Sequence, residues 1–270
     1  MRIVSKGEVK YLVFDLFEKE PVTAAVSARI GGVSTGSFQT FNMGFSVGDR
    51  EEDVAENRRR FFAAIGVKAS QLVSCRQVHG THMERVTKKD CGRGALRFDT
   101  AVEDCDGLYT NEKNVPLTLN FADCTPLLFY DPVTRSAAVA HGGWRGTAGN
   151  IAGVAIRHLQ EAFGAKPADI LAAIGPAISK ECFEVGGEVI EVFGKLFSES
   201  EMERLSEEKE NRKYIFDLPA ANRLLMIRAG VLPENIEDCQ ICTWKRNDLF
   251  YSYRKEKGKT GRHMAVMILR

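Results

Sequence analysis

Short apolar runs recur along the whole chain and constrain its fold more than any other feature of the sequence. They have the length and the β-branched or aromatic content of strands. We predict strands at about 9–17, 22–28, 71–75, 83–87, 116–121, 126–130, 136–140, 170–174, 249–253 and 264–269. No regular βαβ alternation is seen, which argues against a doubly wound nucleotide fold. We therefore expect an α+β fold, with residues 1–270 forming a single domain of packed mixed β-sheets with flanking helices.

Three helices are marked by a residue that can cap the N-terminus and by a glycine that can end the helix. The predicted caps are Asp49, Thr147 and Asp217, and the predicted ends are the glycines at 66, 164 and 230. A further stretch, 198–213, is dense in charge, and we predict that it forms a solvated helix or loop.

Charge and composition exclude several classes of protein. The chain carries 37 basic and 36 acidic side chains, so neither a nucleic acid nor a membrane surface is expected as a partner. The N-terminal segment lacks the apolar core of a secretory signal, and no apolar run approaches the ~18 residues that span a bilayer. Seven scattered cysteines do not have the pattern of a secreted disulfide framework. We expect a cytoplasmic protein with reduced thiols.

Cysteine and histidine stand near the ends of predicted strands or in polar loops in three stretches, RQVHG, FADC and AHGGWRG. These stretches contribute His79, Cys124 and His141. Imidazole nitrogen and thiolate sulfur suit zinc, and three protein ligands leave a fourth position open to water or substrate. We predict that the three side chains converge on one catalytic metal ion.

Other roles remain open for the same residues. A cysteine at a strand end is usually a small buried hydrophobic residue, and a histidine before glycine can simply bond to backbone. Cys124 with His141 as its base also fits a cysteine hydrolase, because a thiolate is both a good ligand and a good nucleophile. Asp123, next to Cys124, is a candidate for orienting the site or for acting as general base.

The remaining histidines and cysteines offer weaker patterns. His82, His158 and His263 have no comparable set of partners in the sequence. Cys239 and Cys242 have the spacing of a redox or zinc pair, but no second pair completes a four-cysteine site. We expect these two cysteines to be structural thiols.

Three arginines are candidates for binding an anionic substrate, since the guanidinium group presents forked donors that suit phosphate. Arg145 lies in a glycine-rich turn before a predicted helix, where N–H groups and the helix dipole favour an anion. Arg29 lies in a long glycine-rich loop, and Arg254 follows a predicted strand. Stacking on Trp144 is the alternative for Arg145, and Trp144 and Tyr253 are weaker candidates for contacting a base.

Several stretches, taken together, resemble one protein family over nearly the whole chain. They are SARIGGVSTGSF, RQVHG, DCDGLYT, FADCTPLLFYD, AHGGWRGTAGNI, FDLPAANRLLMIRAGV and LFYSYRKEKGKTGRHMAVMIL. The sequence resembles the YfiH/YlmD family, formerly described as multicopper polyphenol oxidases or laccases and now as purine nucleoside phosphorylases. The metal motif of that family falls on His79, Cys124 and His141.

The resemblance implies an α+β fold and a zinc-bearing site that acts on purine nucleosides with phosphate. It implies phosphorolysis of adenosine, inosine, guanosine and methylthioadenosine, and deamination of adenosine in the same pocket. A bacterial branch of this family implies an alternative function, that of an amide hydrolase that edits peptidoglycan precursors. The older name of the family implies copper-dependent phenol oxidation. A four-copper laccase needs about ten histidines, whereas this chain has five. We expect Zn²⁺, with Cu²⁺ as the alternative, in a monomer or homodimer.

Overall fold

A computed structural model describes all residues, 1–270. Its strands are β1 Arg2–Lys6, β2 Val9–Val13, β3 Val22–Ser27, β4 Val73–Ser74, β5 Met83–Arg85, β6 Gly107–Thr110, β7 Leu117–Phe121, β8 Thr125–Asp131, β9 Ser136–Gly142, β10 Leu171–Ile174, β11 Glu184–Gly186, β12 Ser206–Glu208, β13 Lys213–Phe216, β14 Ile236–Asp238 and β15 His263–Leu269. Its helices are α1 Glu51–Ala64, α2 Trp144–Ala148, α3 Ile151–Phe163, α4 Gly187–Gly194, α5 Glu199–Leu205 and α6 Leu218–Arg228. None of the helices is both long enough and apolar enough to cross a membrane.

The strands form two six-stranded sheets and a small third one. The first sheet has the order β1-β2-β3-β15-β7-β4, the second the order β14-β10-β8-β9-β6-β5, and the third the order β11-β13-β12. Most neighbours are antiparallel, but β4–β7, β5–β6 and β10–β14 are parallel pairs. The predicted α+β fold of packed mixed sheets with flanking helices is confirmed.

The two large sheets pack face to face, and helices cover their outer faces. Successive side chains along β15 point to opposite faces of the first sheet, and both faces are apolar. Ala265 and Met267 belong to the apolar cluster between the sheets. Val266 belongs instead to the cluster under α1, together with Phe61. On the far side, α3 and α6 bury their apolar faces against the second sheet in a third cluster.

All but one of the predicted strands coincide with a strand of the structure to within a few residues. The exception is 249–253, where the prediction of a strand is wrong. Its backbone forms turns, with the N–H groups of Leu249 and Phe250 both donating to the carbonyl of Arg246. Tyr251 is fully buried outside any sheet, and its hydroxyl donates to the carbonyl of Phe38 at 2.7 Å.

One of the three predicted caps is right. Asp217 caps α6, where its carboxylate accepts from the N–H of Ala220 at 2.9 Å. Asp49 does not cap α1, because its carboxylate accepts instead from Ser34 Oγ and Asn42 Nδ2 and Arg50 takes the N-cap position. Within the charged stretch, the predicted solvated helix is present as α5, followed by the short strand β12.

Thr147 is not the cap of the long helix after the glycine-rich turn. It lies inside α2, a separate helix of five residues. The next helix, α3, begins after Asn150, whose side-chain oxygen accepts from the N–H of Gly153 at 3.0 Å. Asn150 has φ 61°, a left-handed conformation that asparagine tolerates well, so the chain turns sharply between the two helices.

The chain passes from the first large sheet to the second in two places that matter for function. The short turn 122–124 joins β7 of the first sheet to β8 of the second, and the loop 75–82 leads from β4 of the first to β5 of the second. The C-terminal end of β9 lies beside β8 through the pairing of Pro126 with His141. These three segments carry the predicted metal ligands.

Candidate active site

Cys124 is held at the crossover turn between β7 and β8. The residue before it, Asp123, has φ 83°, which turns the chain sharply between the two sheets. The Asp123 carboxylate fixes this turn by accepting from Thr243 Oγ1 and from the backbone N–H of Arg254, both at 2.6 Å. Cys124 is half-buried: it packs against the apolar cluster between the sheets and also lines a cavity.

His79 is positioned by a backbone loop that wraps around one carboxylate. The N–H groups of Val78, His79 and Gly80 all donate to Asp106, at 3.2, 2.9 and 2.6 Å. His79 itself has φ 62°, so the loop presents its imidazole outward toward the cavity. Asp106 is fully buried, and these donors compensate the desolvation of its charge.

The same carboxylate orients the second histidine. His141 Nδ1 lies 2.9 Å from Asp106 Oδ1, and the backbone N–H of His141 donates to the carbonyl of Asp106 at 2.8 Å. This bond leaves Nε2 as the ring nitrogen that is free to bind a metal. The sequence suggested Asp123 as the residue that orients the site. In the structure Asp106, not Asp123, orients the ring of His141.

The predicted trio comes together in space. One ligand atom each from His79, Cys124 and His141 lies within 4.8 Å of the other two, and no other group of three or more such side chains is found in the chain. The rings of His79 and His141 meet edge to face, 4.8 Å apart between centroids. Ligands of a tetrahedral zinc lie roughly 3.5 Å apart, which is a small adjustment from this arrangement. The nitrogen and sulfur donor set thus fits zinc.

Gly143 completes the wall behind the trio. A Cβ atom at this position would lie 3.2 Å from Cys124 Sγ, 3.3 Å from His79 Cδ2 and 3.5 Å from His141 Cε1. Glycine lets the backbone at the start of α2 pack directly against all three side chains. This packing accounts for Gly143 in the glycine-rich turn without an anion site. The helix that follows, α2, is also only one short turn long.

The electrostatics favour an ion pair between the cysteine and the buried histidine. Burial opposes the thiolate, but the adjacent His141 and His79 outweigh it and lower the pKa of Cys124 to about 6. Burial also opposes the imidazolium, but Cys124 and Asp106 raise the pKa of His141 to about 9. The sulfur is therefore prepared to act as a ligand or as a nucleophile at neutral pH.

The trio opens onto a cavity of about 580 Å³, large enough for a nucleoside-sized molecule. Its wall combines cationic and aromatic side chains, namely Arg58, Arg76, Arg254, Arg262, Phe45, Phe98, Phe183 and Tyr253. Arg254 lies over the ring of Phe183, and Arg76 over that of Phe98. Flat apolar faces next to fixed positive charge are suited to a ligand with an aromatic ring and an anionic group.

The three predicted anion-binding arginines have different surroundings. Arg254 lines the cavity, as expected. Arg29 does not, because its guanidinium donates to the carbonyls of Gln39 and Asn247 and to Glu256. Arg145 also lies outside the cavity lining, exposed and stacked on Trp144 at 4.3 Å. Neither of these two is brought to the metal ligands.

The sequence also missed residues that the structure places at the site. Arg76 and Arg262 line the cavity, and Asp106 connects His79 with His141. Asp106 lies in DCDGLYT, a stretch that carried the family resemblance but no assigned role. The only signal for it was its place in that stretch, since the strand β6 that follows Asp106 was not predicted.

The other histidines do not join the site. His82 Nε2 contacts Glu84 at the surface, and His158 stacks on Tyr109 with the ring planes 15° apart. His263 is completely buried and packs beside Phe121 and Phe250. None of the three is part of the three-ligand group.

The fold and the site together define an α+β protein of two packed mixed sheets with one potential three-ligand metal centre in a substrate-sized cavity. The chain belongs to the family described as multi-copper polyphenol oxidoreductase laccase, whose model matches residues 23–270. Its relatives are the YlmD and YfiH proteins, which confirms the resemblance seen in the sequence.

Two curated relatives carry the same activity in their names. The chain is 38% identical over 246 residues to the purine nucleoside phosphorylase YlmD of Bacillus subtilis, covering 91% of this chain and 88% of the relative. It is 36% identical over 241 residues to the purine nucleoside phosphorylase YfiH of Escherichia coli, covering 89% and 91%. The crystal structure of YlmD from Geobacillus stearothermophilus has a TM-score of 0.93 at 38% identity, covering 99% and 98% of the two chains.

Proposed function

We propose that this chain is a zinc-dependent purine nucleoside phosphorylase acting on adenosine, inosine, guanosine and methylthioadenosine. The observation that carries the proposal is the convergence of His79, Cys124 and His141 at the wall of a cavity that is also lined by four arginines. The names of the relatives supply the reaction class.

His79, Cys124 and His141 would hold the ion. A bound zinc would supply Lewis acidity and stabilise negative charge at the open coordination position. The mixed nitrogen and sulfur donors favour zinc, and copper is the alternative that the same donors allow. Asp106 would keep both histidines oriented through its hydrogen bonds.

The arginines would bind the second substrate, inorganic phosphate. In phosphorolysis a phosphate oxygen attacks C1′ of the ribose, the bond from C1′ to the purine nitrogen breaks, and the purine takes up a proton. Arg76, Arg254 and Arg262 surround the cavity with fixed donors that can hold the phosphate next to the sugar. Phe98 and Phe183 offer flat faces for the purine ring.

Asp123 is the candidate for moving the proton. It lines the cavity beside Cys124, and burial raises the pKa of its carboxyl above the ordinary value, against the hydrogen bonds that it accepts. A carboxyl whose pKa is raised exchanges a proton more readily near neutral pH. Asp123 would therefore protonate the leaving purine.

The same cavity would deaminate adenosine when water takes the place of phosphate, giving inosine and ammonia. An assay of adenosine with and without phosphate separates the two reactions, because chromatography resolves adenine from inosine. We expect adenine and ribose 1-phosphate only when phosphate is present, and inosine in both cases. Absence of both products with active-site metal bound would overturn the proposal.

A cysteine hydrolase is the second candidate, and one observation favours it. The Cys124 thiol is hydrogen-bonded to His141, and the His141 ring is hydrogen-bonded to Asp106. This is the arrangement of a nucleophile, a general base and a carboxylate that orients the base. Such a site would cleave an amide, for example in a peptidoglycan precursor, without metal. Dialysis against a strong chelator followed by addition of zinc distinguishes the two, because only the hydrolase keeps its activity when zinc is removed. Copper-dependent phenol oxidation has no comparable support, since the chain has one three-ligand group.

A further inference from the structure

Cys182 and Cys242 are 60 positions apart in the sequence, and Ser179 brings them together in the fold. The N–H of Cys182 donates to the carbonyl of Ser179 at 3.0 Å, and the N–H of Ser179 donates to Cys242 Sγ at 3.4 Å. The two thiols are close enough for each to affect the pKa of the other. The spacing in the sequence suggested Cys239 as the partner of Cys242. Cys239 lies instead in the apolar cluster between the two large sheets.

Both thiols are free; Cys182 is partly exposed, whereas Cys242 is buried. Cys182 is half-buried at the end of a short 3₁₀ turn, Lys180–Cys182. Cys242 lines a second cleft of about 380 Å³, outside the metal-ligand cavity, together with Ser179 and Lys180. A small oxidant can therefore reach Cys242 without passing through the proposed active site.

The surroundings of Cys242 favour its thiolate. Burial opposes ionisation, but hydrogen bonds from Ser179, the backbone and Cys182 outweigh it and lower the pKa of Cys242. The Cys182 thiol has the opposite tendency, with a pKa that burial raises. A nucleophilic thiolate next to a neutral resolving thiol is the arrangement of redox-active cysteine pairs.

Both cysteines precede a residue that contacts the wall of the metal-ligand cavity. Phe183 follows Cys182 and lines that cavity, with the guanidinium of Arg254 over its ring at 5.4 Å. Thr243 follows Cys242, and its hydroxyl donates at 2.6 Å to Asp123, which lines the cavity. A covalent bond between the two sulfurs would therefore act on the cavity wall through Phe183 and Asp123.

We propose that Cys182 and Cys242 form a reversible disulfide when a peroxide reaches the second cleft, and that this bond reshapes the cavity wall at Phe183 and at Asp123, the hydrogen-bond partner of Thr243. The Cys242 thiolate attacks a peroxide oxygen, the O–O bond breaks, and the sulfur becomes a sulfenic acid as hydroxide leaves and is protonated. The Cys182 sulfur then attacks the sulfenic sulfur, releasing water and forming the S–S bond. In total, two thiols and one hydrogen peroxide give one disulfide and two waters.

The test treats the zinc-loaded full chain with a small excess of hydrogen peroxide and maps disulfides by mass spectrometry of non-reduced tryptic peptides. We expect the peptide 181–195 cross-linked to the peptide 229–245, with fragmentation placing the bond on Cys242 and not on Cys239. The cross-link should disappear with a reductant and in Cys182→Ser. Oxidation spread over Cys91, Cys124 and Cys239 without this cross-link would overturn the proposal.

The effect on the cavity is measured by assaying the same samples for phosphate-dependent cleavage of inosine. This part of the test depends on the proposed function. We expect a severalfold loss of activity in the wild-type chain that a reductant restores, with zinc retained. Cys182→Ser should lose less activity under the same treatment, and Cys91→Ser is the matched control that should behave as wild type. A complete cross-link with unchanged activity would overturn the coupling to the cavity. A chain that is inactive before oxidation would refute the proposed function, while the mapping would still decide the disulfide.

Discussion

The carboxylate of Asp106 joins the two histidines of the site by accepting from the backbone N–H of His79 and by bonding Nδ1 of His141, both at 2.9 Å. Asp106 thus controls the position of one proposed metal ligand, His79, through that residue's backbone and of the other, His141, through its ring. A third contact, from the N–H of Gly80 at 2.6 Å, anchors the His79 loop to the same group. Metal affinity should therefore depend on a residue that does not touch the metal.

Asp106→Asn tests this relationship. The amide keeps the shape but removes the charge, and it cannot accept every one of these hydrogen bonds. Loss of such an outer partner typically lowers metal affinity about 10- to 100-fold. Competition with a chromophoric chelator measures the change, and Asp99→Asn, at an exposed ion pair with Arg97, is the control. Unchanged zinc affinity in Asp106→Asn would refute the orienting role.

Arg254→Ala tests the binding of phosphate. Its guanidinium borders the cavity, whereas its backbone N–H holds Asp123 and is unaffected by the substitution. Loss of a charge-assisted contact is expected to raise the KM for phosphate by roughly 10- to 100-fold and the KM for inosine much less. Arg145→Ala, at an exposed arginine outside the cavity, should change neither value. Equal changes in both KM values for Arg254→Ala would remove the proposed role.

Gly143→Ala tests the packing of the backbone against the metal ligands. The φ of Gly143 is −72°, which alanine adopts without strain, so the effect must come from the new Cβ, 3.2 Å from Cys124 Sγ. We expect a well-folded protein with weaker zinc binding and lower activity. Gly187→Ala, where a Cβ meets open space, is the matched control. Circular dichroism measured together with metal content distinguishes weaker zinc binding in a folded protein from a folding defect.

His263 predicts how stability depends on pH. Burial, with a smaller effect of Arg262, lowers its pKa to about 3 in the folded protein. The unfolded chain takes up this proton near pH 6.5. Between pH 6.5 and about 3 the unfolded state therefore binds more protons than the folded state. As the pH is lowered through this range, the free energy of unfolding falls by about 1.4 kcal/mol per pH unit through this residue.

His263→Phe should remove this component while keeping the stacking with Phe121 and the edge-to-face contact with Phe250. Urea unfolding at pH 7.5 and at pH 5 measures the difference, and His82→Gln, at an exposed histidine, should keep the wild-type pH dependence. The same loss of stability in wild type and His263→Phe would contradict the assignment.

The sequence predicts nine of the fifteen strands and the three residues that come together as a possible metal site, because both depend on local pattern. Apolar runs mark β7, β8 and β9, and the ligand residues stand where two of these runs end. The role of Asp106 could not be predicted, since it arises only when residues 27 and 35 positions away fold against it. Arg29 and Arg262 look alike in the sequence, and both donate to backbone carbonyls in the fold. Only the folded loops decide that Arg262 also lines the cavity and that Arg29 does not.

Metal analysis of purified wild type, His79→Ala, Cys124→Ala and His141→Ala, after chelation and reloading with zinc, tests the central claim most directly. The account predicts one tightly bound zinc per wild-type chain and none in each variant, with far-UV circular dichroism unchanged. Stoichiometric, tightly bound zinc in any of the three variants would contradict it.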